Sequence, residues 1–395
     1  MKRIALLSTV ILCLSFLSQA QTIHFVKPAD TDPSINLRLE SHIVVTPETS
    51  LRKDKLLVFF PGTYGVSAGY AEFLQHAADS GIYALGLNYP NDTSFADVCR
   101  NTQDPECFEK GRLEIFDGKN RHPAIDVNES NSIKNRLEKA LLYLDETYPN
   151  ENWDRFIMND TTNWSKLILA GHSQGAGHAG IISKHRSVAR VIMFAGIDFF
   201  TTGLRPADWI AKDGETSGDK LYGFTHLRDP GFFVANPPIQ VRTWTNYGMD
   251  VFGPLTNVDT ADVESLKSHM LCSDLEPKTA NGVSDNYHGG LVVDAYIPRV
   301  NGEIVYLSTW NYLLGLSLEN STVGIDEMHS FPDYTMNHQA VYFSELMDEI
   351  RIHTLDGKEL SACTSCSIIN LGDEKLLMLQ VKHKGQRAAV KIARP

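Results

Sequence analysis

The chain has 395 residues, 43% of them hydrophobic and 21% charged, with 28 Gly and 17 Pro. This is globular composition, which excludes a disordered, collagen-like or coiled-coil protein. Lys and Arg number 36 against 48 Asp and Glu, a net charge of −12. No basic stripe interrupts that balance, so a phosphate backbone would be repelled and a nucleic-acid partner is excluded.

Residues 1–20 read as an export signal. Lys2 and Arg3 form a charged start, residues 4–17 are apolar, and Ser18-Gln19-Ala20 puts small residues at the cleavage positions. The apolar stretch is short for a membrane span, and no other segment approaches one, so no transmembrane segment is expected after cleavage. The expected location is secreted or cell-surface, reached through the periplasm. Of six cysteines, Cys13 leaves with the signal and five remain in an oxidising compartment, where disulfides form. Cys99 and Cys107 bracket a polar loop that a short bridge would staple. Cys363 and Cys366 close a tighter one. Half a metal site or a redox pair is the sharper alternative there, but no second Cys or His pair at ligand spacing accompanies it, so a structural bridge and no metal are expected. Cys272 is left as a buried free thiol.

From 55 to 230, apolar runs alternate with helical patterns, the signature of a parallel sheet with crossover helices. The run 55–60 (KLLVFF) ends at Pro61-Gly62, and 68–79 has helical spacing before Gly81 and a second strand at 82–87. Residues 91–131 look polar and irregular, long enough to be an insertion over a site. In 132–147, Ile133, Leu137, Leu141 and Leu144 line one stripe and Ser132 is placed to cap. Further strands are expected at 166–170 (KLILA), 189–194 (ARVIMF), 220–225 (KLYGFT) and 291–297 (LVVDAYI). The tail, 346–395, reads as short alternating strands at 350–354, 367–371, 376–382 and 388–393, with turns at Asp356-Gly357 and Lys384-Gly385. The expected organisation is therefore signal (1–20), α/β body (21–345) and β-rich tail (346–395).

The strongest chemical signal is Gly171-His172-Ser173-Gln174-Gly175, directly after KLILA and before a small-residue helix start. Gly171 and Gly175 allow a sharp strand-to-helix turn that lifts the serine hydroxyl above the sheet edge. The helix N-terminus behind it offers N–H groups and positive dipole to an oxyanion. A serine hydroxyl is a poor nucleophile near neutral pH, so a neutral imidazole must take its proton and a carboxylate must hold that imidazole.

With this elbow in a βα series, the chain resembles the α/β-hydrolase superfamily of serine esterases, lipases and peptidases, from about residue 55 to 345. LLVFFPGTYG, the Cys99…Cys107 loop, LAGHSQGAGHA and YGFTHLRDP resemble a secreted bacterial group within it. The resemblance implies an α/β-hydrolase fold with the order Ser, acid, base. Ser173 is the nucleophile. Asp229, after KLYGFT, suits the acid, with Asp198, after ARVIMF, as its rival. His288 suits the base, although a strand-like run rather than a helix follows it, with His269, His329 and His338 as other candidates. The Gln174 N–H is one oxyanion donor, and Thr63 or Tyr64 supplies the second, with no HGGG-type motif present. His172 and His178 are placed for packing or hydrogen bonding. The activity implied is hydrolysis of a small-molecule or polymer-borne ester, without metal or organic cofactor. A peptidase on the same triad and a silent surface-binding protein are the alternatives. Separately, IRIHTLDGKEL, SIINL and LLMLQVKHKGQRAAVKIARP resemble the C-terminal sorting domain of the type IX secretion system of Bacteroidetes bacteria, which implies export machinery as a partner. LLML stands where that family has Gly-x-Tyr.

Overall fold

The computed structural model describes residues 21–196, 198–229, 238–261, 267–278, 286–300 and 302–316, and in the tail 334–336, 340–353, 359–370, 376–383 and 386–393. The signal segment, His329, His338 and both tail turns lie outside them.

A nine-stranded sheet forms the body. Its strands, in chain order, are β1 (Thr22–Val26), β2 (His42–Thr46), β3 (Leu56–Phe60), β4 (Tyr83–Gly86), β5 (Leu167–His172), β6 (Arg190–Phe194), β7 (Leu221–His226), β8 (Thr256–Asn257) and β9 (Met270–Ser273). Their order in space is β1-β2-β4-β3-β5-β6-β7-β9-β8. β2 runs antiparallel to both neighbours, and every pairing from β4 to β8 is parallel. Parallel strands need crossovers, and these place helices on both faces. Leu56, Val58 and Phe60 pack on one side with Leu137, Leu141 and Ile181, while Leu57 and Phe59 pack on the other with Phe73, Leu74 and Trp310. A strand covered on both faces cannot alternate in polarity, which is why LLVFF is apolar throughout. The architecture is α/β, a mostly parallel sheet flanked by helices, consistent with the α/β-hydrolase fold expected from the sequence.

The helices that bear on the site are α1 (Ala71–Asp79), α2 (Phe95–Cys99), α3 (Cys107–Asp117), α4 (Ile133–Thr147), α5 (Gln174–His185), α6 (Ile239–Asn246) and α7 (Leu307–Leu314). In α4 the Ser132 hydroxyl accepts the Asn135 N–H at 3.2 Å. The Ile133, Leu137, Leu141 and Leu144 stripe is buried, each side chain contributing roughly 1.5–3 kcal/mol.

Three expectations are corrected. Residues 91–131 are not irregular: α2 and α3 lie within them, joined by the Cys99–Cys107 disulfide. The run 291–297 is not a strand; its amides close turns, Val293 N–H to Gly289 carbonyl and Ile297 N–H to Val293 carbonyl, while Leu291, Val292 and Ile297 are buried. An apolar run reports burial, and periodicity alone cannot say which backbone buries it. Finally, the strand series begins at Thr22 rather than 55, and β9 lies in a stretch with no clear pattern.

The tail forms a separate five-stranded antiparallel sheet of β10 (Tyr334–Met336), β11 (Ala340–His353), β12 (Glu359–Asn370), β13 (Leu376–His383) and β14 (Gln386–Ala393), ordered β10-β11-β13-β14 with β12 also on β11. β11 crosses position 345/346 without a break. Cys363 and Cys366 are bonded, and Cys272 is free and buried. No helix among the described residues is long and apolar enough to cross a membrane.

Candidate active site

Ser173 sits in the single-residue step between β5 and α5 with φ 54° and ψ −116°, a left-handed conformation that costs a non-glycine residue about 1–3 kcal/mol. The neighbouring glycines explain how the turn closes. A Cβ on Gly171 would stand 2.3 Å from the Gly175 carbonyl carbon, and one on Gly175 would stand 2.0 Å from the Phe60 oxygen. The helix therefore packs backbone to backbone against β3 and β5. The Ser173 N–H donates to the Phe194 carbonyl at 2.8 Å, which ties the elbow to β6.

Asp229 follows β7 and is buried; its N–H donates to the His226 carbonyl at 3.0 Å. His288 lies on the loop after β9, half-buried, with Nδ1 2.6 Å from the Asp229 carboxylate. Donation from Nδ1 leaves Nε2 as the acceptor face of that ring. The ring centroid is 4.8 Å from that of His172, the residue before Ser173. Asp229 and His288 are thus paired at the carboxyl ends of the strands, where β5 also delivers Ser173 and where ligands of open α/β sheets bind. The loop is anchored beside the imidazole by Tyr287, whose ring stacks under the Arg228 guanidinium at 4.5 Å and whose hydroxyl reaches Glu276 at 3.0 Å.

The other sequence candidates lie elsewhere. Asp198 takes two hydrogen bonds of 2.5 Å from the buried Arg112 guanidinium and a third from Trp209 at 3.2 Å. Arg112 in turn donates to the Gln174 carbonyl at 2.8 Å, so Asp198 braces the start of α5. His269 gives its Nδ1 to the Leu221 carbonyl at 2.9 Å and stacks between Tyr222 and Phe252.

The loop after β3 lies against the elbow. A Cβ on Gly62 would be 3.1 Å from His172 Nδ1 and 3.3 Å from Ser173 Cβ. The Thr63 hydroxyl donates to Gln174 Oε1 at 3.0 Å. The Tyr64 N–H is committed to the Asn91 carbonyl at 3.1 Å, which removes Tyr64 as an oxyanion donor and leaves Thr63 beside Gln174. Asn91 also donates through Nδ2 to the Gly62 and Gly65 carbonyls. From the stapled segment, the Phe95 N–H donates to Gln174 Oε1 at 3.3 Å, so α2 forms a wall beside the residue following the serine. No sequence pattern marks Asn91, Arg112 or Tyr70, the last with its hydroxyl 3.0 Å from His172 Nδ1, because their contacts at the site lie 29 to 102 residues away.

His178, on α5, is fully buried between Tyr89 and Phe95, and burial drives its pKa well below the ordinary value. A separate cavity of about 1300 Å³, lined by Lys55, His76, Ile168, Arg190 and Asn311, opens at the amino ends of the strands and touches none of Ser173, Asp229 or His288. Chemistry, not volume, locates the site.

No protein-family model and no curated protein matches the chain. Among solved structures, it resembles a putative dienelactone hydrolase from Klebsiella pneumoniae subsp. pneumoniae MGH 78578, with 11% identity and a TM-score of 0.36, over 66% of this chain and 88% of that one. At that level of likeness, function must be argued from the residues themselves.

Proposed function

We propose that the protein is an exported serine hydrolase that cleaves carboxylic esters by way of an acyl-enzyme. The observation that carries the reading is the 2.6 Å contact between His288 Nδ1 and Asp229 beside a serine held in the left-handed elbow. Asp229 fixes the imidazole tautomer with Nε2 unprotonated and stabilises the ring once charged. Nε2 takes the Ser173 proton as Oγ attacks the acyl carbon, then returns it to the leaving alkoxide. In this reading the Gln174 and Thr63 amides donate to the developing oxyanion, helped by the dipole of α5. Water repeats the sequence to release the acid.

The resemblance of residues 1–20 to a signal and of the tail to a type IX sorting domain supports export and attachment at the cell surface. A panel of p-nitrophenyl esters of graded chain length tests the reading. Wild-type protein should turn over at least one member, and Ser173→Ala should lose more than 99% of that rate with an unchanged melting profile. Equal rates for the two proteins would reject it.

A further inference from the structure

His172 and Tyr70 form a continuous chain of hydrogen bonds that the triad chemistry does not itself require. The Gly62 N–H donates to Tyr70 Oη at 3.2 Å. Tyr70 Oη lies 3.0 Å from His172 Nδ1, and His172 Nε2 lies 2.9 Å from the main-chain carbonyl of His288. The carbonyl can only accept, so Nε2 carries the proton and Nδ1 is the acceptor for the Tyr70 hydroxyl. Every donor and acceptor in the chain is then used once. The three groups joined are the start of the oxyanion loop, the residue before the nucleophile, and the backbone of the base.

We propose that His172 is a positioning residue that, with Tyr70, holds the His288 loop and the Gly62-Thr63 loop in fixed register with Ser173. This rests on the hydrolase reading above. Geometry gives the ring its use. Gly62 approaches so closely that an added Cβ would press on both His172 and Ser173, and the hydrogen bonds run from Gly62 through the ring to the His288 carbonyl, so a shift of the imidazole displaces the oxyanion loop and the base together. A misplacement near 1 Å can cost about a hundredfold in rate.

Neutrality matters as well. His172 is buried, and burial, followed by the proximity of His288, holds its pKa down to about 3; burial keeps the Tyr70 hydroxyl protonated, with its pKa pushed up to about 12. With ring centroids 4.8 Å apart, a charged His172 would oppose the imidazolium that must form on His288. The environment assigns the proton to the base alone.

The test compares His172→Leu, His172→Gln, Tyr70→Phe and the Leu/Phe double variant with wild type on the best ester, with rates expressed per serine titrated by a fluorophosphonate. Leucine at 172 should lower kcat by about tenfold to a hundredfold with KM within about twofold. Glutamine, which can still donate to the His288 carbonyl, should recover most of that loss. The double variant should be no worse than the poorer single, as expected of residues that act as one unit. Unchanged kcat per titrated serine in His172→Leu, a glutamine variant no better than leucine, or strictly additive losses would each overturn the role. A wild type inert to both esters and fluorophosphonate would instead overturn the hydrolase reading on which it rests.

Discussion

Two aspartates sit at the carboxyl ends of adjacent strands, and their surroundings separate their roles. Asp229 faces an imidazole, whereas Asp198 is held by Arg112 and Trp209. Asp229→Asn should lower kcat by two or more orders of magnitude with KM and melting temperature little changed, because the amide favours the wrong tautomer. Asp198→Asn should act mainly on stability, removing about 3–5 kcal/mol by leaving a guanidinium buried without its partner. Steady-state kinetics beside thermal melts distinguishes these outcomes, and the reverse pattern would exchange the roles. At this scale the sequence was legible where chemistry forces a local pattern. The elbow glycines, the serine and an aspartate just past a strand are of that kind. It was silent where a role depends on distant contacts, as with Asn91 beneath Gly62 and Arg112 against Gln174.

Elements were legible in proportion to how far burial and period coincide. The stripe of α4 and the apolar strands β3 and β5 announced themselves, because covering one helix face or two sheet faces leaves a regular trace. The apolar residues at 291–297 misled, because the same composition buries a series of turns. Those turns carry a function of their own. Asp294, six residues after the imidazole, accepts the Ala71 N–H at 2.9 Å and the Glu72 N–H at 3.3 Å, so the loop that bears His288 caps the start of α1. Burial raises the Asp294 pKa to about 6. Its charged form is therefore the disfavoured one when folded: the stability it contributes is complete below about pH 3.8 and is lost as pH rises through about 6. Asparagine keeps an acceptor oxygen for one of the two N–H groups and carries no charge. Asp294→Asn should melt higher than wild type at pH 7.5 and at the same temperature at pH 3.5, read by calorimetry in one buffer series. A gain of equal size at both pH values would mean that the carboxylate's ionisation is irrelevant.

Across the whole molecule, buried histidines dominate the acid response. His42, His172 and His178 are buried; burial holds the first two at about 3 and the third well below its ordinary value. These groups are neutral when folded but take up protons near pH 6.5 when unfolded. Their contribution is complete above about 6.5 and shrinks as pH falls from there toward about 3. Asp294 works in the opposite sense between about 6 and 3.8, and Asp79, also raised by burial, works with it; but burial lowers His76, His122, His226 and His269 too, so the histidines prevail and the melting temperature should fall steadily from pH 6.5 to pH 4. A flat profile over that interval would show that these rings gain protons in the folded state. The most direct measurement is the site of covalent attack. Intact protein treated with a fluorophosphonate should gain one adduct, mapped by peptide mass spectrometry to Ser173, with labelling abolished in Ser173→Ala and slowed at least a hundredfold in His288→Ala. A wild-type protein that takes up no adduct, or takes it up at a residue other than Ser173, would contradict the assignment of this site.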